Sequence, residues 1–239
     1  MNVRAPAADD LDDVLTLCRA ADRAVWGDSD WTLDDLRDEW DDLDLARDAW
    51  LVELDGRLAG YATFADRGEG RLMGDGYVHP ELQGRGVGSL LVDLYEGRSA
   101  EVPDRRTLES AALSGDGAAD RLFSGRGFEP IRHYFRMVVE HDAEPEPPAW
   151  PEGVTVGRLD VERDGRAFYD AIVESFAEEW GFQIRPWDEF GEWRFGSPRF
   201  DATLCPVAKA GGEIAGLCLN DWKTQGDWGW VNFLAVRPA

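Results

Sequence analysis

The sequence predicts an α/β (α+β) protein of two tandem domains, each a mixed, mostly antiparallel sheet flanked by helices, with the second domain incomplete in this chain. Two observations lead to this prediction: a strand-turn-strand pattern occurs twice, and a proline-rich segment separates the two copies. The length of 239 residues agrees with it, because domains commonly have about 100–200 residues.

The repeated pattern is a predicted β-hairpin. In the first copy, WLVELDGRLAGYATF (residues 50–64) turns at Asp55-Gly56, and in the second, PVAKAGGEIAGLCLN (206–220) turns at Gly211-Gly212. The second strands of the two hairpins match with an offset of 214 − 58 = 156. The later segments GYVHPE (76–81) and LAVRPA (234–239) match with an offset of 236 − 78 = 158. Two matches at nearly the same offset predict a tandem duplication.

The boundary between the copies is predicted at residues 141–153, HDAEPEPPAWPEG, where four prolines lie among acidic residues and disfavour regular structure. We therefore expect a first domain over residues 1–140, a linker, and a second domain over residues 154–239. The offset places the second copy of residues 83–88 at 83 + 158 = 241 to 88 + 158 = 246, beyond Ala239. The second domain is therefore expected to be truncated before this loop.

The composition excludes several classes of protein. With 48 acidic against 25 basic residues, the formal charge is 25 − 48 = −23, which argues against nucleic acid or an anionic membrane as a partner. No apolar stretch of about 18 residues is present, and the acidic start differs from a signal peptide, so we expect a cytoplasmic protein. The cysteines and histidines lack the spacing typical of disulfides or metal sites, and no bound metal is expected. These residues are Cys18, Cys205, Cys218, His79, His133 and His141. The oligomeric state stays open.

The most informative segment is GYVHPELQGRGVGSLLVDLYEG (residues 76–97), which reads as a short strand, a turn, a glycine-rich loop and a helix. The helix is predicted from an apolar stripe at helical spacing, formed by Val87, Leu90, Leu91, Leu94 and Tyr95. Glycines at its start let backbone amides approach a ligand, and the free N–H groups of its first turn form an anion site. A pyrophosphate fits such a site, whereas a tight strand-to-helix connection without a ligand is the alternative.

The spacing Gln83-x-x-Gly86-x-Gly88, after a strand that ends at Val78, resembles the acetyl-CoA loop of the GNAT superfamily of N-acetyltransferases. Residues 107–113 read as a following strand. Residues 115–140 resemble the last helix of that family, its Gly-Phe turn at Gly127-Phe128 and its closing strand. The tandem arrangement with a Phe- and Trp-rich second half is similar to the mycothiol-synthase-like branch of the superfamily.

The resemblance implies acetyl-CoA as the acyl donor and a set of residues that hold it. The strand that ends at Val78 would part from the following strand, commonly beside a β-bulge, and expose backbone groups to the pantetheine arm. The residues implied for the pantetheine are Tyr77, Val78 and His79. Those implied for the pyrophosphate are Gln83, Gly84, Arg85, Gly86, Val87, Gly88 and Ser89.

The implied activity is direct transfer of an acetyl group to a primary amine of a small molecule or peptide. Asp75 is the candidate base that removes the proton of the amine, and a solvated carboxylate at a strand end is its alternative role. Phe123 occupies the position where the family often has a tyrosine that protonates the leaving thiolate. Two alternatives therefore stay open: a catalytically silent CoA-binding or scaffolding module, and an unrelated βα protein.

The second copy carries many aromatic residues in the region that builds the acceptor side of the cleft in the family. Either a role in that cleft or plain core packing would explain them. They are Phe176, Trp180, Phe182, Trp187, Phe190, Trp193 and Phe195.

Overall fold

The computed structural model describes residues 1–103, 106–197, 200–222 and 229–238. Ala239, the last residue of the predicted repeat, lies outside them. The chain divides into two compact units, Met1–Phe135 and Arg136–Ala239. The linker predicted at residues 141–153 begins a few residues after this division, and its bounds stay a prediction. No helix in the described ranges is both long enough and apolar enough to cross a bilayer.

The first unit has a sheet of five strands in the order β1-β2-β3-β4-β5, antiparallel except for the parallel pair β4–β5. Its strands are β1 (Asn2–Arg4), β2 (Ala49–Leu54), β3 (Arg57–Asp66), β4 (Arg71–Val78) and β5 (Thr107–Glu109). Its helices are α1 (Leu11–Trp26), α2 (Leu33–Asp41), the single turn α3 (Leu45–Asp48), α4 (Val87–Ala100) and α5 (Gly117–Gly125). This mixed, mostly antiparallel sheet confirms the predicted fold class.

The predicted hairpin at Asp55-Gly56 is confirmed by β2 and β3. Both turn residues have left-handed backbone conformations, with φ of 54° for Asp55 and 76° for Gly56. This conformation matches the twist of the two strands and explains why Asp-Gly occurs here. The turn fixes the register between β2 and β3, and therefore which side chains of β3 lie on each face.

Side chains of β3 alternate between two apolar layers. Tyr61 packs with α1 and α2 in one cluster, whereas Ala62 and Phe64 pack with α4 in the other. We call the first side of the sheet the α1/α2 face and the second the α4 face. The predicted helix at residue 87 is confirmed as α4, and its stripe residues lie against the sheet.

Helix α4 approaches β4 very closely at a glycine. A Cβ added to Gly74 would lie 2.5–2.9 Å from the ring atoms of Tyr95, a distance that normal van der Waals contact forbids. The Tyr95 ring is buried, and its hydroxyl lies 3.5 Å from Ser110 Oγ, just beyond β5. Tyr95 therefore lies between β4 and the end of β5.

The prediction of a closing strand after Gly127-Phe128 is wrong. Gly127 does form a left-handed turn after α5, with φ of 83°, but residues 129–150 contain neither helix nor strand. Strand β5 is also shorter than the predicted range of 107–113 and ends at Glu109. A further strand at this edge would therefore have only three residues of β5 to pair with, which limits the hydrogen bonds available to hold it.

The second unit repeats the antiparallel part of the first. Its strands are β6 (Val154–Arg158), β7 (Pro206–Ala210), β8 (Glu213–Trp222) and β9 (Gly229–Val236), in the order β6-β7-β8-β9. Helix α6 (Val161–Phe176) and the short α7 (Trp187–Phe190), which continues into a π-helical turn at Gly191–Phe195, complete it. The hairpin predicted at Gly211-Gly212 joins β7 and β8, with left-handed φ values of 60° and 90°.

One irregularity falls at equivalent positions in the two sheets, whereas a second, between Leu219 and Asn220 of β8, has no counterpart in the continuous pairing of β3 and β4. The register shifts between Val52 and Glu53 in β2 and between Ala208 and Lys209 in β7, an offset of 208 − 52 = 156. The pair Gly60 and Val78 corresponds to Gly216 and Val236 at the offsets read from the sequence, 216 − 60 = 156 and 236 − 78 = 158. The duplicated pattern in the sequence is thus a duplicated sheet.

The aromatic residues of the second unit mostly form its core. Phe190 is fully buried, and the partly buried Phe176, Phe182, Trp187 and Phe195 pack against the same cluster. Trp180 and Trp193 are more exposed, at 37% and 49%. Core packing, the plainer of the two roles considered for this group, therefore accounts for most of it.

The close approach at Gly74 gives a testable prediction. Gly74→Ala should destabilise the first unit by about 1–3 kcal/mol, because the new methyl group has no space beside Tyr95. Gly97→Ala is the matched control: Gly97 lies in the exposed part of α4 with no atom within 4 Å of an added Cβ, so this change should be neutral or stabilising. Urea denaturation of both variants checks the difference, and equal stabilities would contradict the packing described.

Candidate active site

The first unit has an open strand edge where β4 and β5 part. The two strands pair only at Arg71 with Thr107, Leu72 with Leu108 and Met73 with Glu109. Strand β4 continues to Val78, and on this side residues 74–78 have no strand partner in the part of the chain that the structure describes. We call this opening the gap. It leaves backbone N–H and C=O groups of β4 free to bind an extended ligand.

The bulge expected near Val78 is not present. Strands β3 and β4 pair in a continuous register from Gly60 with Val78 to Asp66 with Leu72. The parting of the strands therefore comes from the early end of β5 and from the ring of Tyr95, and it needs no irregularity in β4.

The glycine-rich loop leads directly from β4 to the start of α4. Gly84 and Gly86 have left-handed φ values of 72° and 86°, which favour glycine. Gly86 is the N-cap of α4, and its carbonyl accepts the first helical hydrogen bond from Leu90 at 3.1 Å. The N–H groups of the first turn have no acceptor within the helix, and together with the positive end of the helix dipole they favour an anion.

The space beside this loop fits a phosphate group. Residues 83–86 are exposed. A Cβ on Gly84 would meet no atom within 4 Å, and the nearest atom to one on Gly86 is a methyl carbon of Met1 at 3.6 Å. Gly88 has a different function: a Cβ there would lie 3.3 Å from Leu122 of α5, so this glycine lets α4 and α5 pack closely.

The remaining loop residues have partners within the protein. The Arg85 guanidinium forms an ion pair with Asp55 at 2.8 Å, on the β2–β3 turn. Its side chain is 48% exposed, so the cation can turn toward a ligand at little cost. The Ser89 carbonyl accepts a hydrogen bond from Arg126 at 3.0 Å. Val87 is buried, and only its backbone faces the loop.

His79 contributes its main chain and a turn cap. Its N–H donates to the Ala59 carbonyl at 2.9 Å, and its Nδ1 accepts from the backbone N–H of Glu81 at 3.3 Å. This second contact caps the short turn that precedes the loop. The imidazole therefore stabilises the turn before the loop, and the contact of His79 with a pantetheine arm stays a prediction.

The side chains of Asp75 and Tyr77 lie on the α1/α2 face, opposite the face that packs against α4. Asp75 lies across from Thr63, and Tyr77 across from Tyr61. The Tyr77 hydroxyl accepts a hydrogen bond from Trp31 Nε1 at 3.3 Å, and the two rings meet edge to face at 5.9 Å. The ring of Tyr77 therefore packs on the α1/α2 face, and the pairing of β4 directs its backbone groups toward Tyr61 of β3.

Sequence reasoning missed a group of residues around Asp75. Glu39 of α2 accepts a hydrogen bond from the Tyr61 hydroxyl at 2.9 Å, and the same hydroxyl accepts from Trp40 Nε1 at 2.9 Å. Glu39 Oε1 also lies 3.5 Å from Thr63 Oγ1. In the sequence, Glu39 belongs to the acidic run LDDLRDEWD (33–41), which looks like a solvated helix face. No local signal distinguishes it from its neighbours.

Burial makes both carboxyl groups weaker acids. Desolvation raises the pKa of Glu39 to about 7, helped by the charge of Asp75 and opposed by the hydrogen bond from Tyr61. Desolvation also raises the pKa of Asp75 to about 6, opposed by the hydrogen bond from the backbone N–H of Gly76. Groups with such pKa values can accept and release protons near neutral pH.

The position of the expected thiolate acid is apolar. The Phe123 ring packs against Phe128 at 5.3 Å and has no proton to donate. The hydroxyl of Tyr95 lies 3.5 Å from that of Ser110, just beyond β5, and burial raises the pKa of Tyr95 to about 12. Within the described ranges, no group of three or more His, Cys, Asp or Glu residues could hold a metal ion.

Comparison with known proteins agrees with this geometry. Residues 11–128 match the acetyltransferase (GNAT) family. Mycothiol acetyltransferase of Streptomyces scabiei is 29% identical over 196 residues, which cover 79% of this chain and 60% of that protein. The chain thus spans less than two thirds of the length of this relative.

Two solved structures extend the similarity to nearly the whole chain. A GCN5-related N-acetyltransferase from Sphaerobacter thermophilus is 28% identical with a TM-score of 0.80, over 99% of this chain and 76% of that one. A tandem GNAT protein from the clavulanic acid biosynthesis pathway is 17% identical with a TM-score of 0.66, over 99% and 79% of the two chains, and shows the shared fold. The chain therefore contains a domain of the acetyltransferase (GNAT) family, at residues 11–128.

Proposed function

We propose that this protein is an acetyl-CoA-dependent N-acetyltransferase that acts on a primary amine. The observation that carries the proposal is the continuous path from the open edge of β4 to the glycine-rich start of α4. Homologues in the GNAT family bind acetyl-CoA or CoA. The path offers what an elongated thioester with a pyrophosphate needs, namely free backbone groups along a strand and free N–H groups at a helix start.

Three parts of the chain would hold the donor. At the end of β4, the backbone groups of Val78 point away from β3 and would pair with the pantetheine arm, with Tyr77 and His79 on either side of it. The loop and helix start bind the pyrophosphate through backbone N–H groups, with Arg85 as a local cation in an otherwise acidic protein, and the residues are Gln83, Gly84, Arg85, Gly86, Val87, Gly88 and Ser89. Acetyl-CoA, when bound, supplies an acetyl group activated as a thioester.

The acceptor would enter from the α1/α2 face, where Asp75 lies. An amine that arrives as an ammonium ion gives one proton to the Asp75 carboxylate, which frees the nitrogen lone pair for attack on the acetyl carbon. The new bond from nitrogen to carbon forms as the bond from carbon to sulfur breaks, and the second proton of the nitrogen ends on the sulfur. Tyr77 lies two residues from Asp75 on the same face of β4, with Trp31 against its ring, and aromatic rings near a carboxylate favour a cation.

A second candidate function is a catalytically silent CoA-binding or scaffolding module. The observation that favours it is the apolar contact between Phe123 and Phe128, which leaves this position without a proton donor for the leaving thiolate. Release of free thiol from acetyl-CoA across a panel of primary amines separates the two functions. Binding without any release would support the module.

The loop gives the first prediction on function. Gly86→Val should weaken acetyl-CoA binding by at least about tenfold, because a side chain at φ of 86° strains the N-cap and blocks the approach to the helix start. Gly70→Val is the matched control, since Gly70 has φ of 81° and no atom within 4 Å of an added Cβ but lies on the turn between β3 and β4. Calorimetric titration of the full chain checks this, and unchanged binding by the Gly86 variant would exclude the site.

Asp75, the candidate base, gives the second prediction on function. Asp75→Asn should lower kcat by about 10²–10⁴ without changing the Kd for acetyl-CoA, because an amide cannot accept the proton. In the unmodified protein, activity should rise as the pH passes about 6, where Asp75 ionises. Thiol release measured from pH 5 to 9 checks both statements. Asp13→Asn, on the exposed side of α1, is the control, and an Asp75 variant with normal turnover would assign this residue a structural role.

A further inference from the structure

Helix α5 packs against the start of α4, where the proposed donor site lies. A Cβ on Gly88 would lie 3.3 Å from Leu122 of α5, so the two helices are close at this point. Just after α5, the guanidinium of Arg126 donates a hydrogen bond to the Ser89 carbonyl at 3.0 Å. Ser89 lies in the first turn of α4, and its own N–H is one of those without an acceptor in the helix. Arg126 therefore contacts the same helical turn that would hold the pyrophosphate.

Arg126 also pairs with both acidic residues of α4. Its guanidinium contacts the carboxylates of Asp93 and, at 2.8 Å, Glu96. Ser89, Asp93 and Glu96 are spaced by four and three residues, so they line one face of the helix. The Arg126 side chain is 23% exposed, and these contacts engage both of its terminal nitrogens. It is thus less free to turn toward a ligand than Arg85, which is 48% exposed.

These ion pairs matter because the protein is strongly acidic. A formal charge of −23 already opposes an anionic ligand. Asp93 and Glu96 lie 93 − 87 = 6 and 96 − 87 = 9 residues from the first residue of α4. At about 1.5 Å per residue, they are about 9 and 14 Å from it along the helix axis. Charges act over about this range in dilute salt, so two unpaired carboxylates here would repel phosphates at the helix start.

We propose that Arg126 is a positioning residue for acetyl-CoA: it pairs with Asp93 and Glu96 and so prevents their charges from repelling the phosphates at the start of α4. It acts through these two carboxylates and does not touch the ligand. This inference rests on the proposed function, because it needs the donor to lie at that helix start. Arg85 would then attract the pyrophosphate, while Arg126 removes a repulsion.

The first arm of the test measures acetyl-CoA binding by calorimetric titration of the full chain at two salt concentrations. Arg126→Gln should weaken binding about fivefold in 20 mM KCl, because the two carboxylates lose the charge that balances them. In 0.5 M KCl the loss should be less than about twofold, since the screening length falls to about 4 Å. A helix start that is merely displaced would bind less tightly by the same factor at both concentrations, and this result would overturn the proposal.

The second arm restores the balance of charge without the arginine. The triple variant Arg126→Gln, Asp93→Asn, Glu96→Gln removes both carboxylates as well, and it should bind acetyl-CoA as tightly as the unmodified protein does. If Arg126 instead contacted a phosphate directly, the triple variant would stay as weak as Arg126→Gln, which would contradict the proposal.

A variant that keeps Arg126 covers the case in which Arg126→Gln fails to fold. Asp93→Asn combined with Glu96→Gln should bind acetyl-CoA about fivefold more tightly than the unmodified protein in 20 mM KCl, because two repelling charges are gone. Unchanged affinity of this double variant would also overturn the proposal.

Turnover separates donor affinity from catalysis. Arg126→Gln should raise the KM for acetyl-CoA and leave kcat unchanged. It should leave the KM for S-acetylpantetheine unchanged, because this thioester has no phosphate. Arg37→Gln is the matched control: it removes an arginine from an exposed ion pair with Asp34 on α2, on the other face of the sheet, and should leave acetyl-CoA binding unchanged.

The outcomes also separate this inference from the proposed function. If the unmodified protein binds no acetyl-CoA, both are overturned. If it binds acetyl-CoA, and Arg126→Gln binds equally well in 20 mM KCl or loses only as much affinity as Arg37→Gln, the role of Arg126 alone is overturned.

Discussion

The contact between Tyr95 and Gly74 is the constraint on which the site depends. The ring of Tyr95 lies so close to β4 that only glycine fits opposite it, and its hydroxyl reaches Ser110 where β5 has ended. The same side chain thus anchors α4 to the face of the sheet at Gly74 and reaches the residue that follows β5. One packing interaction therefore links the position of the helix with the point where the two strands part.

Strand β4 serves both proposed substrates because its side chains alternate. Gly74 and Gly76 face α4, and at Gly74 a side chain would clash with Tyr95 of that helix, while Asp75 and Tyr77 face α1 and α2. The edge of the same strand is open to the donor. A five-residue segment therefore supplies backbone groups in the plane of the sheet and a carboxylate on one side of it. This geometry follows from the period of two in a β-strand.

The second unit repeats the order of the four antiparallel strands of the first and shares one register shift with it, yet its side chains have diverged. Where the first unit has the polar side chains of Glu39, Thr63 and Asp75, the second packs phenylalanine and tryptophan around α6 and α7. The second unit also has an ion pair between the buried Asp164 and the partly exposed Lys209, with two contacts of 2.8 and 2.9 Å. Duplication thus preserved the backbone pattern and left the side chains free to change.

The sequence by itself determined the features that depend on neighbouring residues: the two glycine turns, the apolar stripe of α4, the glycine-rich helix start and the offset of the repeat. Each is set by local backbone preference or by periodicity. Only the tertiary structure decided which distant side chains meet, since Glu39 reaches Asp75 through Thr63 and Arg85 pairs with Asp55. It also decided that no closing strand forms after Phe128, because strand pairing depends on the length of the partner edge, which no local pattern encodes.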